Sequence, residues 1–429
     1  MRRALLLLVL PMALGAQSGA ESLVVRSSAT PCLTVRRAPE ADAPTLACLV
    51  PGTVVTVDSA APFWRHVRLA DGKRGWAAKK FLEEQGGTPG DTPAPPPPSG
   101  TIPDSAWLEI HIVDVGQGDG IWITTHDDGV QGNGRFDGRN IVIDGGPDAS
   151  EAKNEFAKYV EAHAHHNARI DALIVTHPHN DHYPGARGIL RHFEVCDYYD
   201  PDTPNGSDFD AFLGEVRGAK CNGAPIRMHR GRANLGTPNW GSELTVEWLW
   251  GGPIEPAGMG SGNTRVNNAS LVMKLTYGTQ SFLFMGDAEG KERDDSPDVP
   301  RYAEKAMLAD PATAAKLKAT VLKVAHHGSE SSSTTPFISA VDPEVLIVSS
   351  GRKAFSGTYL PDRSTLQRYC AHNPSLRIYR TDQDDEAEHR TTANDADGDH
   401  IVIRTNGKRT VVQAYENGHT VAAPASCVP

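Results

Sequence analysis

Three histidines and an aspartate fall within six positions in "HPHNDH", residues 177–182, directly after the apolar run "IDALIVT". Imidazoles and carboxylates are donors suited to zinc, with manganese or iron as substitutes. Residues two apart in an extended segment point the same way, so His177 and His179 can grip one ion. Asp181 and His182 lie past a bend and can serve a second ion. Two further segments complete such a site. "FLFMGDAEG" brings Asp287 to a strand end, where a carboxylate can bridge two ions, and "LKVAHHGSESSS" brings His326 and His327 to another. Between those two histidines the sequence does not choose. The expected cofactor is zinc, one or two ions per chain, and the expected chemistry is hydrolysis by a metal-activated water. No Ser-His-Asp or Cys-His signature offers a side-chain nucleophile instead.

Other polar clusters have blander readings beside their sharper ones. Asp119 in "GQGD" either buttresses the site or caps a turn, and Gly116 and Gly118 fail the spacing of nucleotide-phosphate loops. His163, His165 and His166 read as a solvated helix end, where cations are favoured. "NDADGDH", residues 394–400, reads as a hairpin turn, because its glycine is misplaced for a calcium loop. "RMHRGRANLG", with Arg217 and Lys220 upstream, is a basic cluster that either holds an anionic substrate or is a solvated loop.

The elements that must position these residues are short strands alternating with helices over residues 104–429. "WLEIHIVDVG", "GIWITT", "NIVIDGG", "DALIVTH", "QSFLFMGD", "ATVLKVAHH" and "EVLIVSSG" read as strands, and "DASEAKNEFAKYVEAHAHH" as a helix. Several strands end directly in Asp114, Asp144, His177, Asp287 or His326, and sites form where strand ends meet loops. Ahead of them, residues 86–103 open with "GGTPGDTPAPPPPSG", a semi-rigid spacer that cannot bury apolar surface. Residues 21–85 read as a small unit of short strands with turns at Pro51-Gly52 and Asp71-Gly72. Residues 1–20 have two arginines, an apolar run from Ala4 to Leu10, and small residues suited to cleavage near Gly15, Ala16 or Ala20. They read as a signal peptide too short to span a membrane. The protein is therefore expected to be exported, periplasmic or extracellular, with no membrane span after removal of the leader. Export suits the six cysteines, whose simplest pairing joins neighbours: Cys32–Cys48, Cys196–Cys221 and Cys370–Cys427. A formal net charge of -11 argues against broad attraction to nucleic acid or to an anionic membrane. It does not exclude an anionic ester substrate, since a bound metal supplies positive charge locally.

The segment "LTVRRAPEADAPTLACLVPGTVVTV", followed by "WRHVRLADGKRGWAAKKFL", resembles a bacterial Src-homology-3 domain. The resemblance implies an all-β barrel that binds cell-wall material or serves as a plain spacer. "DVGQGDGIWI" (114–123), "IVIDGGPD" (141–148), "THPHNDHYPGA" (176–186), "NNASLVMKLTYG" (267–278), "FMGDAEG" (284–290), "KVAHHGSESSS" (323–333) and "YRTD" (379–382) resemble the metallo-β-lactamase superfamily, in particular its ComEC-type domain. The implied fold is α/β, a four-layer αββα sandwich with metals in the groove at the sheet edges. The resemblance assigns His177 and His179 to a first metal, and Asp181, His182 and one of His326/His327 to a second. Asp287 is the bridge, and Asp144 orients the histidine loop from beneath. Asp181 doubles as the group that moves a proton to the leaving group. Most members supply a third histidine to the first metal, where this chain has Asn267 and Asn268, and Asn268 is carried as a weak ligand. A second departure is Leu360-Pro361, where relatives often have His-Pro. The function implied is hydrolysis of a phosphodiester or related ester, in nucleic acid or a wall polymer. The alternatives are a lactone or lactam hydrolase, or a wall-binding protein with a degenerate metal site.

Overall fold

Strands with no polar face must be covered on both sides, and the larger part of this chain is built from such strands. Every residue of Asn140–Asp144, Ile170–Ile174 and Val345–Val348 is buried. The computed structural model describes residues 22–84 and 108–428, apart from 27–28, 30–31, 41–42, 126–137, 165–168, 242–243, 253–258, 352, 356–357, 383–397, 417 and 425–426. The leader, the Pro/Gly-rich spacer, His165, His166 and most of "NDADGDH" lie outside the described residues. The chain divides into two compact units near residue 89. Among the described residues no helix is long and apolar enough to cross a membrane.

The first unit is a seven-stranded sheet, from Ser22–Val25 to Leu82–Glu84, all of whose pairings are antiparallel. Its strands alternate, so that Leu23, Val25, Leu33, Val35, Val55, Val67, Ala77 and Leu82 share one core.

In the second unit a nine-stranded sheet runs, in spatial order, through Arg227–Arg230, Val195–Asp200, Ile170–Ile174, Asn140–Asp144, Gly120–Thr125, Leu108–Ile112, Ile401–Thr405, Thr410–Glu416 and His419–Val421. A six-stranded sheet runs through Leu244–Trp250, Val272–Tyr277, Gln280–Phe284, Val321–Lys323, Val345–Val348 and Arg377–Arg380. Ile110, Ile121, Ile123, Ile141 and Ile143 of the first sheet share a core with Met273, Leu275, Phe282, Val345 and Ile347 of the second. The opposite face of the six-stranded sheet, through Leu283, Leu322 and Leu346, packs on Ala303, Met307, Phe337, Ile338, Leu366 and Tyr369 of three helices. On the nine-stranded sheet, Phe212 of the helix Gly206–Gly218 lies against Tyr198, with ring centroids 6.2 Å apart. The result is the expected four-layer αββα arrangement.

Four neighbouring strands in each sheet pair in parallel, and helices return the chain between them. The chain therefore leaves successive strands at one end of the sandwich. Thr176–His182, Asp287 and His326–His327 all follow such strand ends. The disulfides are Cys32–Cys48, Cys196–Cys221 and Cys370–Cys427, the pairing of neighbours expected from the sequence.

Candidate metal centre

Asp144 closes its strand with φ 59°, a left-handed turn that aims its carboxylate under the next loop. There it accepts hydrogen bonds from the Thr176 backbone N–H (2.8 Å) and the Thr176 hydroxyl (2.6 Å). His182 Nδ1 lies 2.9 Å from the same carboxylate. An Nδ1–H donated downward leaves the Nε2 lone pair pointing up. His327 is set in the same manner, its Nδ1–H donated to the Ser349 carbonyl at 2.8 Å.

Close backbone contacts shape the loop. A Cβ on Gly118 would lie 2.1 Å from the Asp181 carbonyl oxygen, and one on Gly185 would lie 1.8 Å from that of Gly145. "GQGD" is thus a brace under Asp181 and not a phosphate cradle. Asp119 buttresses the site from this brace, its Oδ2 accepting from Lys323 Nζ at 2.7 Å and its Oδ1 lying 3.4 Å from His327 Nδ1.

Four donor groups converge above this support. His182 Nε2 is 3.3 Å from Asp287 Oδ1 and 3.9 Å from Asp181 Oδ1. His327 Nε2 is 3.5 Å from Asp287 Oδ1 and 3.6 Å from Asp181 Oδ2. A tetrahedral ion with bonds of about 2.0–2.2 Å spaces its ligand atoms about 3.3–3.6 Å apart. Beside this group, His177 Nε2 lies 3.1 Å from His179 Nδ1 and 3.6 Å from Asp287 Oδ2. Asp287 therefore turns one oxygen to each set, as a bridge must.

The buried Nε2 of His182, Nε2 of His327 and Oδ1 of Asp287 have no hydrogen-bond partner. Buried polar atoms left so are costly, and a cation between them removes the cost. The electrostatics agree. Burial works against charging His182 and His327, yet Asp287 with Asp144 holds His182 well above the usual imidazole range, and Asp287 with Asp119 lifts His327 to about 10. Burial would also raise the Asp287 carboxyl, but His182, His327, His177 and His326 hold it well below the carboxylate range. The cluster attracts positive charge. These residues fit a divalent ion.

Not every expected residue joins in. Asn268 is displaced from the site: its Nδ2 donates to the Thr264 carbonyl at 2.9 Å, and its Oδ1 accepts from the Glu289 and Ala303 backbone N–H groups at 3.0 and 3.3 Å. Both ends of that amide serve the local backbone, so it is no ligand. Asn267, its neighbour, donates from Nδ2 to Glu289 Oε1 at 2.7 Å, and its Oδ1 is buried without a hydrogen-bond partner. Of the two adjacent histidines, His327 joins the converging donors. His326 sits at the rim, its Nδ1 3.0 Å from Ser331 Oγ and its Nε2 3.9 Å from Asp287 Oδ2. Both have positive φ (50° and 52°), and this turn separates their directions. Two members of the basic cluster are paired within the fold, Arg227 with Asp197 and Arg230 with Asp200. Leu360 is buried and accepts a hydrogen bond from the Ser350 hydroxyl through its backbone carbonyl. Sequence reasoning passed over Lys323, although a lysine inside the apolar strand Val321–Lys323 signals a buried partner.

Residues 135–352 match the Metallo-beta-lactamase superfamily and residues 30–84 the Bacterial SH3 domain. The chain belongs to the metallo-β-lactamase superfamily and is a hydrolase of that family. ComE operon protein 3 of Bacillus subtilis is 26% identical over 66% of this chain and 33% of its own length. Recombination protein 2 of Haemophilus influenzae is 27% identical over 57% of this chain and 24% of its own length. The chain thus spans about a third or less of these relatives. Among solved structures, an archaeal metallo-β-lactamase superfamily protein from Sulfolobus tokodaii aligns with a TM-score of 0.30 at 13% identity, over 62% of this chain and 96% of that one.

Proposed function

We propose that this chain is an exported hydrolase of phosphodiesters or related esters, with His177, His179, Asp181, His182, Asp287 and His327 holding one or two divalent ions, zinc first among them. The observation that carries the reading is the convergence of His182 Nε2, His327 Nε2 and Asp287 Oδ1, all buried and unpartnered, on one point. An ion bound there supplies Lewis acidity and an acidified water. The protein's own groups do the rest. Asp144 and the Ser349 carbonyl fix the His182 and His327 tautomers. The side chain of Asp181 is 18% exposed, whereas those of Asp287, Asp119 and Asp144 are 3% exposed or less. Asp181 is thus the carboxylate open to substrate, suited to carry a proton to the leaving oxygen.

Preference for a phosphodiester draws support from the relatives, one of which is named for recombination. Three disulfides favour an oxidising compartment. The small unit, matching the Bacterial SH3 domain, is read as a module that keeps the enzyme on wall material. Protein purified without chelator should cleave bis(p-nitrophenyl) phosphate, lose that activity on chelation, and lose it to background in Asp287→Ala. Turnover of nitrocefin or a lactone in its place would move the substrate class. Chain that binds no divalent ion and hydrolyses nothing, while still sedimenting with peptidoglycan, would end the enzymatic reading.

A further inference from the structure

Asp119 stands closer to the metal centre than a buttress requires. One oxygen of Asp119, one of Asp287 and one ring nitrogen of His327 lie within 4.8 Å of one another, and all three residues are buried. Asp119 and Asp144 stand in the same relation to His182. Asp119 Oδ1 has no hydrogen-bond partner and lies 3.4 Å from His327 Nδ1. The chain thus carries a second set of donors, Asp119, Asp287 and His327, that overlaps the set of Asp181, His182 and His327. Only one of these sets can use His327 at a time. Its Nδ1–H is donated to the Ser349 carbonyl, so the ring has a single lone pair to give, at Nε2.

The two carboxylates that compete for this ion differ in their company. Asp119 Oδ2 accepts from Lys323 Nζ at 2.7 Å, and both side chains are 2% exposed. The same ammonium donates to the Val324 carbonyl at 3.1 Å, which fixes it beside Asp119. The side chain of Asp181 is 18% exposed, and its ion-pair partners are His182 and His327, at 3.9 and 3.6 Å. Among the described residues no lysine or arginine lies within 4.0 Å of it. A buried ammonium therefore cancels the charge of one carboxylate and leaves the other to attract a cation.

We propose that Lys323 is a positioning residue that sets where the ion lies: its ammonium denies Asp119 to a divalent cation, so that His182, His327 and Asp287 hold the ion together with Asp181. The proposal rests on the metal-dependent reading given above. The physical reason is repulsion. A fixed positive charge and a divalent ion cannot share one carboxylate in a low-dielectric interior without a large electrostatic cost. Without Lys323, Asp119 is a buried carboxylate that no ammonium neutralises, within ligand range of His327 and Asp287, and the ion moves toward it. That move takes the ion from Asp181, the carboxylate open to substrate.

The test loads the full-length chain with cobalt(II), whose visible absorption reports the ligand set, with circular dichroism confirming the fold. Lys323→Met should bind cobalt about tenfold or more tightly than wild type and with an altered spectrum, while its cleavage of bis(p-nitrophenyl) phosphate falls. Lys323→Met with Asp119→Asn should return the wild-type spectrum. Asp119→Asn alone should keep that spectrum, because Asp119 is no ligand while Lys323 holds it. If Lys323→Met is unfolded without metal, cobalt should restore its fold. The proposal is overturned if Lys323→Met binds cobalt no more tightly and with an unchanged spectrum, if cobalt does not restore its fold, if Asp119→Asn alone shifts the spectrum, or if the double variant does not recover it. Each of these leaves the metal-dependent reading intact. Wild-type chain that takes up neither cobalt nor zinc would overturn both.

Discussion

Lys323 shows how one buried side chain can serve a site it does not enter. Its ammonium and the Asp119 carboxylate are each 2% exposed and joined at 2.7 Å, one on the six-stranded sheet and the other on the loop leading into the nine-stranded one. Lys323→Met would take the ammonium from the buried Asp119 carboxylate and leave only His327 beside it, costing about 3–5 kcal/mol. Urea unfolding measures that loss, and Asp119→Asn added to Lys323→Met should recover part of it. A loss under 1 kcal/mol for Lys323→Met alone would show that water compensates Asp119. At this scale the sequence named most of the candidate donors, because imidazole and carboxylate in tight spacing are chemically distinctive. It could not choose between His326 and His327, and it carried Asn268, whose amide the fold spends on local backbone. Adjacent identical side chains differ only in the direction the backbone gives them.

Loops and strands make the donors converge. The Gly118 brace is one such device, with φ 144° and the Asp181 carbonyl where a Cβ would go. Gly118→Ala must push the Asp181 loop away, and a misplacement near 1 Å lowers turnover on the order of a hundredfold. Circular dichroism should remain native while kcat falls; unchanged kcat would refute the brace. The strand Ile401–Thr405 is set by another local device. The ring of His400 accepts the Asp114 backbone N–H at Nδ1 (3.0 Å) and packs edge-on to Tyr159 at 4.5 Å. Burial, with His163 and His111 nearby, lowers the His400 pKa from 6.5 to about 4. The unfolded chain therefore takes up this proton first. Its contribution to stability is whole above about pH 6.5 and drains away as pH falls to about 4. His400→Gln should flatten that part of the stability–pH curve, and an unaltered slope would assign acid sensitivity elsewhere. The type of most elements was legible in the sequence, since apolar runs bounded by Gly and Pro are strands in a covered sheet. The use of "GQGD" as a brace was not, because only a neighbour's backbone explains that glycine.

Across the whole molecule, the Cys370–Cys427 bridge ties the helix Arg363–His372 to the end of the chain across 57 residues. Replacing both cysteines with serine should cost about 2–4 kcal/mol in reversible unfolding. No change would mean that the tail adds nothing to the hydrolase unit. What the sequence by itself determined is the inventory: two units, a layered α/β hydrolase with its motifs in family order, and donors for two ions. The two units and the candidate donors follow from composition, periodicity and residue chemistry, and the layered hydrolase fold from the resemblance that the motifs carry, all written locally. Only the tertiary structure decided that His327 and not His326 joins His182 against Asp287 Oδ1, that Asn268 is spent on backbone while Asn267 is held by Glu289, and that a buried lysine ties the two sheets together. Each of these depends on which atoms from distant segments reach one point in space, and linear spacing carries no record of direction.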